Sequence, residues 1–157
     1  MLLPFTDELV VTTPYDGEMS MLADRHYSRR TVGARQFLNN GRKIVIRNTE
    51  GTILFGWIWP QDGMRFDDQT GFNCAIFRNE STRRSSDVIL ECERIAFEKW
   101  GLNRMYTYVD PSKIASVNPG YCFKVAGWEF VRRSRDGKHL LVKLADRAAR
   151  EIGSEVA

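Results

Sequence analysis

The chain of 157 residues is poor in cysteine and histidine, with three cysteines and two histidines. Cys74, Cys92 and Cys122 are widely spaced, and no two of them form a Cys-x-x-Cys pair. The sequence also lacks His-Glu-x-x-His and other zinc-ligand spacings. An odd number of cysteines in apolar settings favours buried, reduced thiols over a disulfide framework, which is typical of an intracellular protein.

Long apolar runs are also lacking. No run approaches the roughly 20 residues that span a membrane, and the first residues have no basic region of the kind that begins a signal peptide. We therefore expect a cytoplasmic protein with no membrane partner. Because no repeat, low-complexity segment or linker is present, the length predicts one domain over 1–157, with 145–157 as a loosely ordered helical tail.

Arginine is what the chain has in excess. It has 17 arginines against 6 lysines, although its formal net charge is only +3. Arginine forms bidentate contacts with phosphate and stacks on nucleobases, which lysine does not. The excess therefore indicates a polyanionic partner, either a nucleic acid or a phosphorylated cofactor. The alternative is a solvated surface on which arginine replaces lysine.

Hydrophobic periodicity and turn signals predict an α+β fold with a mixed, mainly antiparallel twisted sheet flanked by helices. Strands are predicted over 8–12, 36–38, 43–47, 52–59, 72–77, 105–109, 128–132 and 139–144. Helices are predicted over 17–25, 85–100, 119–126 and 145–157. Asp16 is expected to cap the first helix, and Ser85 or Ser86 the second. Gly101 and Gly127 are expected to end the second and third helices.

The polar loop before the second helix, residues 79–86, is a candidate anion site. A helix N-terminus presents free backbone N–H groups and the positive end of the helix dipole. Arg83, Arg84, Ser85 and Ser86 add side-chain donors there, which suits a pyrophosphate. The alternative is an ordinary capped helix with exposed arginines.

A second candidate group comprises Tyr108, Asp110, Asn118 and Tyr121, which lie at the ends of predicted elements. The end of a strand is where an open sheet collects its ligand-binding groups, and Asp or Tyr can transfer protons once their pKa is tuned. The alternatives are that Asp110, which precedes Pro111, only initiates a turn, and that Tyr121 packs in the core.

His26, Tyr27 and Ser28 form a third candidate group, because a histidine that titrates near neutrality lies beside two hydroxyls. The alternative is a surface loop next to Arg29 and Arg30.

The predicted strand over 52–59 carries a row of aromatic residues. Phe55, Trp57 and Trp59 alternate, so they share one face of the sheet. The row either stacks on a nucleobase or packs in the core.

The order of these elements resembles the GNAT acyltransferase fold. Residues 20–144 resemble more specifically a divergent branch of that superfamily, the Mom-type DNA modification proteins of bacteriophages. The motifs that carry this resemblance are His26–Ser28, the Trp-rich strand, Arg84–Ser86, Tyr106–Pro111 and Asn118–Lys124. The last of them is the most specific.

This resemblance implies an enzyme that adds an acetamido- or carbamoylmethyl-type group to the exocyclic amine of adenine in phage DNA and so protects it from host restriction. It implies double-stranded DNA as partner, acetyl-CoA or a related acyl-CoA and iron as cofactors, and the cytoplasm of the bacterial host as location. The alternatives are an acetyl-CoA-dependent N-acetyltransferase of a small molecule or protein, and a non-catalytic DNA-binding module. The oligomeric state, a homodimer included, stays open.

Position and resemblance together assign roles to the candidate residues. The predicted catalytic residues are Asp110, Tyr121, Tyr108, His26 and Ser28. The predicted cofactor-binding residues are Arg83, Arg84, Ser85, Ser86 and Asn118. The predicted DNA-binding residues are Tyr27, Arg29, Arg30, Trp57 and Trp59.

Overall fold

A computed structural model describes residues 8–26, 38, 41–60, 68–113 and 118–156. The strands within this part of the chain are β1 (Leu9–Thr12), β2 (Arg42–Asn48), β3 (Ile53–Trp59), β4 (Phe72–Asn79), β5 (Met105–Val109), β6 (Glu129–Arg133) and β7 (His139–Lys143). The helices are α1 (Gly17–Asp24), α2 (Ser85–Trp100), α3 (Tyr121–Val125) and α4 (Ala145–Val156). The predicted strand over 36–38 lies largely outside the described residues.

All seven strands belong to one sheet, in the order β1-β2-β3-β4-β5-β7-β6. Neighbours pair antiparallel except β4 and β5, which are parallel. Parallel neighbours need a crossover, and α2 supplies it. The predicted α+β fold with a mixed, mainly antiparallel sheet is confirmed.

α1 covers one face of the sheet. Its cap is the predicted one, because Asp16 accepts a 3.2 Å hydrogen bond from the backbone N–H of Met19. The buried side of the helix packs on apolar side chains of β2, β3 and β4. This cluster contains Met19, Leu22, Ala23, Val45, Leu54, Ile58 and Ile76.

α2 and α3 cover the opposite face, where most of the core lies. The predicted capping of α2 by Ser85 or Ser86 is wrong. The N-cap is Arg84, whose side chain makes no cap hydrogen bond. Asn79 organises the loop instead, since its amide donates to the carbonyl of Arg83 at 2.8 Å and to the hydroxyl of Ser85 at 3.0 Å. Gly101 ends the helix as predicted, with φ at +85°.

A buried charge network fastens α4 and α2 to the sheet. The ammonium of Lys143 on β7 donates to Glu93 of α2 at 2.7 Å, to Glu151 of α4 at 2.5 Å and to the carbonyl of Ala126 at 2.8 Å. The indole of Trp128 donates to the other oxygen of Glu93 at 2.9 Å. All three ammonium protons therefore have acceptors, as a buried lysine requires.

Candidate active site

The candidate site is a cleft that opens where β4 and β5 separate. The two strands pair only from Phe72 to Cys74 on β4 and from Met105 to Thr107 on β5. β4 continues to Asn79, and from Ala75 onward it pairs with β3 alone among the strands that the structure describes. The cleft has a volume of about 350 Å³.

A bulge in β4 decides which side chains line this cleft. Gly56 and Trp57 of β3 pair with Ile76 and Cys74, so Ala75 is an extra residue. The insertion shifts the alternation of side chains along β4. Ile76 therefore packs with α1, whereas Cys74 packs with α2 and α3. Phe77 packs on the same side of the sheet as Cys74, and its ring centroid lies 6.0 Å from that of Phe123.

Residues from both faces of the sheet converge on the cleft. His26 follows α1 on one face, and Asn118 and Gly120–Phe123 come from α3 and its approach on the other. Cys74–Phe77 and Thr107–Val109 form the strand walls. The cleft is therefore lined from both faces of the sheet.

The Asn118–Tyr121 turn owes its shape to Gly120. This glycine has φ at +73°, and a Cβ there would lie 2.3 Å from Cδ1 of Leu141. Only glycine allows both the left-handed backbone and the close approach to β7. α3 consequently begins at Tyr121, two residues later than predicted, and Gly127 ends it with φ at +97°.

The pKa of His26 is strongly altered by its place in the cleft. Burial lowers the pKa of His26 to about 4, and the positive charge of Arg78 acts in the same direction. A hydrogen bond with the backbone of Phe77 opposes them in part. The imidazole is therefore neutral at physiological pH, with one of its two ring nitrogens unprotonated.

The two candidate tyrosines both line the cleft. Tyr121 is 60% exposed, so the alternative that it packs in the core is wrong. Tyr108 is half-buried, and its ring lies edge-on to that of Tyr106 with 6.1 Å between centroids. Their catalytic roles stay predictions.

Asp110 lies beside the cleft rather than among the described residues that line it. Its carboxylate accepts hydrogen bonds from the hydroxyl of Ser112 at 2.6 Å and from the backbone N–H of Ser112 at 3.0 Å. The hydroxyl bond in particular lowers the pKa of Asp110. This geometry fits the turn-initiating alternative.

The predicted cofactor residues surround the start of α2 and the cleft. Asn118 lines the cleft and accepts a 2.6 Å hydrogen bond from Lys124. Arg83 forms an ion pair with Glu91, Arg84 is exposed, and Ser86 is buried. The described cavity does not reach Arg83, Arg84, Ser85 or Ser86, so pyrophosphate binding at this helix end stays a prediction.

The structure corrects the predicted DNA contacts of the aromatic strand. Trp57 is 0% exposed, and its indole donates to the carbonyl of Cys92 at 2.9 Å. Its ring is therefore buried in the core and cannot stack on a nucleobase. Trp59 lies at the closed end of the β4–β5 pair, where its ring contacts those of Phe72 and Trp100.

The other predicted DNA-binding residues, Tyr27, Arg29 and Arg30, lie outside the described residues, as does Ser28. Within the described part of the chain, no three His, Cys, Asp or Glu side chains are grouped to hold a metal ion. The described residues thus do not form the iron site that the resemblance implied. Nor do they include a helix long and apolar enough to cross a membrane.

Sequence reasoning missed several residues that shape the cleft. Thr107 and the backbone of Ala75–Phe77 define its inner end. The charge of Arg78 acts on His26, and Glu80 pairs with both Arg25 and Arg78. A bulge depends on the partner strand, and an ion pair between distant residues leaves no local pattern. The one available signal is the run of acidic and basic residues at the end of β4.

Comparison with known proteins found no matching family model and no matching curated protein. Two solved structures match. Aminoglycoside acetyltransferase AAC(6')-Ib in complex with coenzyme A and kanamycin has a TM-score of 0.62 at 16% identity, over 90% of this chain and 96% of that one. The same enzyme with coenzyme A has a TM-score of 0.58 at 17% identity and equal coverage.

The fold is that of the GNAT acetyltransferases. The GNAT-like architecture expected from the order of elements is therefore confirmed. At this identity the likeness concerns the fold alone, and the resemblance to Mom-type proteins rests on the sequence motifs.

Proposed function

We propose that this GNAT-fold protein is an acyl-CoA-dependent N-acyltransferase. The observation that carries the proposal is the cleft between β4 and β5, where an unpaired strand edge meets His26 from one face and Tyr121 from the other. The two solved neighbours, which were crystallised with coenzyme A, support the choice of donor.

The unpaired edge of β4 suits the amide-containing arm of an acyl-CoA. The backbone of Ala75–Phe77 lies along the cleft, where an extended ligand would pair with it as an added strand does. Cys74 and Phe123 give the cleft an apolar wall for the acyl group. The start of α2, with Arg84 and Ser85, is suited to the pyrophosphate.

Two residues divide the proton transfers between them. His26 accepts the proton that the acceptor nitrogen loses as the new nitrogen–carbon bond forms at the acyl carbonyl. Tyr121 donates a proton to the sulfur as the carbon–sulfur bond of the thioester breaks. The neutral imidazole and the exposed phenol supply the required acceptor and donor.

The walls of the cleft favour an uncharged acceptor nitrogen. The described residues that line it include no Asp, Glu, Lys or Arg. A polycationic amine needs carboxylates to offset its desolvation, and the described lining residues include none. An amine that is neutral at physiological pH carries no such cost.

Modification of adenine in DNA is the second candidate function. It is favoured by the order of the Mom-like motifs, by the 17 arginines and by the uncharged cleft, which suits the neutral exocyclic amine of adenine. Chemistry on that amine requires an extruded base. Tyr121, which is exposed at the cleft, takes the stacking role that the buried Trp57 cannot.

Calorimetry with acetyl-CoA tests the donor. We expect binding by the wild type and loss of binding by Ala75→Phe, which fills the cleft. Ala149→Phe, on the exposed side of α4, is the matched control and should bind normally. Absence of binding by the folded wild type would reject the acyl-CoA proposal.

The acceptor is tested separately. The protein is co-expressed with a plasmid, and the digested DNA is analysed by nucleoside mass spectrometry. Purified protein is assayed in parallel with labelled acetyl-CoA and neutral or cationic amines. Modified deoxyadenosine supports the second candidate, whereas product only from free amines supports the first alone.

A further inference from the structure

Three charged residues join the end of α1 to the end of β4. Glu80 accepts two hydrogen bonds from the guanidinium of Arg25, at 3.0 and 3.1 Å, and one from Nε of Arg78 at 2.6 Å. Nη1 of Arg78 also donates to the backbone carbonyl of Arg25 at 2.8 Å. We call Arg25, Glu80 and Arg78 the clamp.

Both ends of the clamp are next to the cleft. Arg25 immediately precedes His26 in the chain, and Arg78 immediately follows Phe77, whose backbone is hydrogen-bonded to His26. Glu80 is itself fixed, because its N–H donates to the carbonyl of Thr52 at 2.7 Å. The clamp therefore connects the segment that carries His26 to the wall against which His26 lies.

We infer that Glu80 positions His26 in the cleft by holding Arg25 and Arg78 together. The inference rests on the proposed function, in which His26 accepts the proton of the acceptor nitrogen. Glu80 acts through the two arginines and is a positioning residue, because it does not itself line the described cavity.

The geometry sets this cluster apart from an ordinary surface ion pair. Exposed pairs contribute little because water and salt screen them. Here one carboxylate receives three hydrogen bonds, two of them from a bidentate arginine, and the contact to Arg25 bridges 55 residues of sequence. Bidentate geometry fixes orientation as well as distance. We therefore expect the clamp to fix the position of His26 and to contribute little to the free energy of unfolding.

The test is an NMR titration of the imidazole signals. The chain has only two histidines, so His139→Gln assigns the signals of His26. In the wild type, we expect His26 to titrate at about 4. In Glu80→Gln, His26 is released from its desolvating position, so its pKa should rise toward 6.5 by about one pH unit or more.

A pKa of His26 that does not rise in Glu80→Gln would contradict the inference. If Glu80 were only a counter-charge for Arg78, its removal would leave the pKa of His26 unchanged or lower still, and that result overturns the inference. Arg25→Met breaks the clamp from the other side and should also raise the pKa. Asp136→Asn, an acid-to-amide change in an exposed ion pair with Lys138, is the matched control and should leave it unchanged.

Kinetics provide the second readout. We expect Glu80→Gln to lower kcat by about 10- to 100-fold, as misplaced catalytic groups do, with an unchanged KM for acetyl-CoA. The titration does not depend on activity, so it tests the clamp even if no acyl transfer is found. An active wild type whose Glu80→Gln variant keeps both kcat and the low pKa of His26 rejects the clamp and leaves the acyltransferase standing.

Discussion

The hydroxyl of Thr107 donates a 2.8 Å hydrogen bond to the carbonyl oxygen of Cys74, at the last residue pair that joins β4 to β5. Both residues are buried. This bond lies at the inner end of the cleft, and beyond it the strands diverge. It therefore helps to fix the point at which the sheet opens.

Thr107→Val removes this bond and keeps the shape of the side chain. We expect the free energy of unfolding to fall by about 1–3 kcal/mol, because the buried carbonyl of Cys74 loses its side-chain donor. Urea denaturation measures the change. Thr70→Val, at an exposed position, is the control and should stay within about 0.5 kcal/mol of the wild type. Equal effects of the two substitutions would contradict a special role for Thr107.

Gly120→Ala should disrupt the turn that brings Tyr121 to the cleft. The new methyl group would combine a φ of +73° with a 2.3 Å approach to Leu141. Gly137→Ala is the control, since Gly137 has φ at +87° but open space around it. We expect both variants to lose about 1 kcal/mol from backbone strain, and Gly120→Ala a further 1–3 kcal/mol from overpacking. Similar melting temperatures for the two would argue against the contact with Leu141.

Local signals in the sequence were sufficient for most elements. Met105–Val109 has the predicted bounds, and Asp16 caps α1 as expected, because caps and turn glycines act over a few residues. The alternation of Phe55 and Trp57 correctly placed them on one face. The alternation could not show that α2 covers this face of the sheet and so buries Trp57 in the core.

The cleft was only partly predictable. Tyr108, Asn118, Tyr121 and His26 do meet there, because the end of β5 and the starts and ends of helices come together where β4 and β5 separate. The bulge at Ala75 arises from the pairing of β3 with β4 and has no signature within β4. The clamp likewise depends on tertiary contacts.

Lys143→Met tests the buried charge network. Loss of the ammonium group leaves the carboxylate of Glu93 without its charged partner. Burial raises the pKa of Glu93, and Lys143 is the main group that opposes this shift. Breaking a buried pair in this way costs about 3–5 kcal/mol. Denaturant unfolding should show such a loss for Lys143→Met and almost none for Lys138→Met, whose partner Asp136 is exposed.

The double variant Lys143→Met with Glu93→Gln separates charge from packing. Removal of the stranded charge should restore part of the lost stability, because a neutral amide costs less to bury than a carboxylate. If the double variant is as unstable as the sum of the single ones, the network contributes through packing alone.

His26 should make the stability of the protein depend on pH between about 4 and 6.5. Its pKa is about 4 in the folded protein and 6.5 when exposed, so in this range the unfolded chain binds more protons than the folded one. The free energy of unfolding therefore rises with pH between about 4 and 6.5, by roughly 3 kcal/mol in total, and the contribution of His26 is constant below pH 4.

Urea unfolding of the wild type and of His26→Gln at several pH values isolates this contribution from that of the carboxylates. The free energy of unfolding of the wild type should increase relative to that of His26→Gln as the pH rises from 4 to 7. His139→Gln, the control, should show the same pH dependence as the wild type in this range. Parallel curves for the wild type and His26→Gln would mean that the imidazole is solvated and does not lie in the cleft.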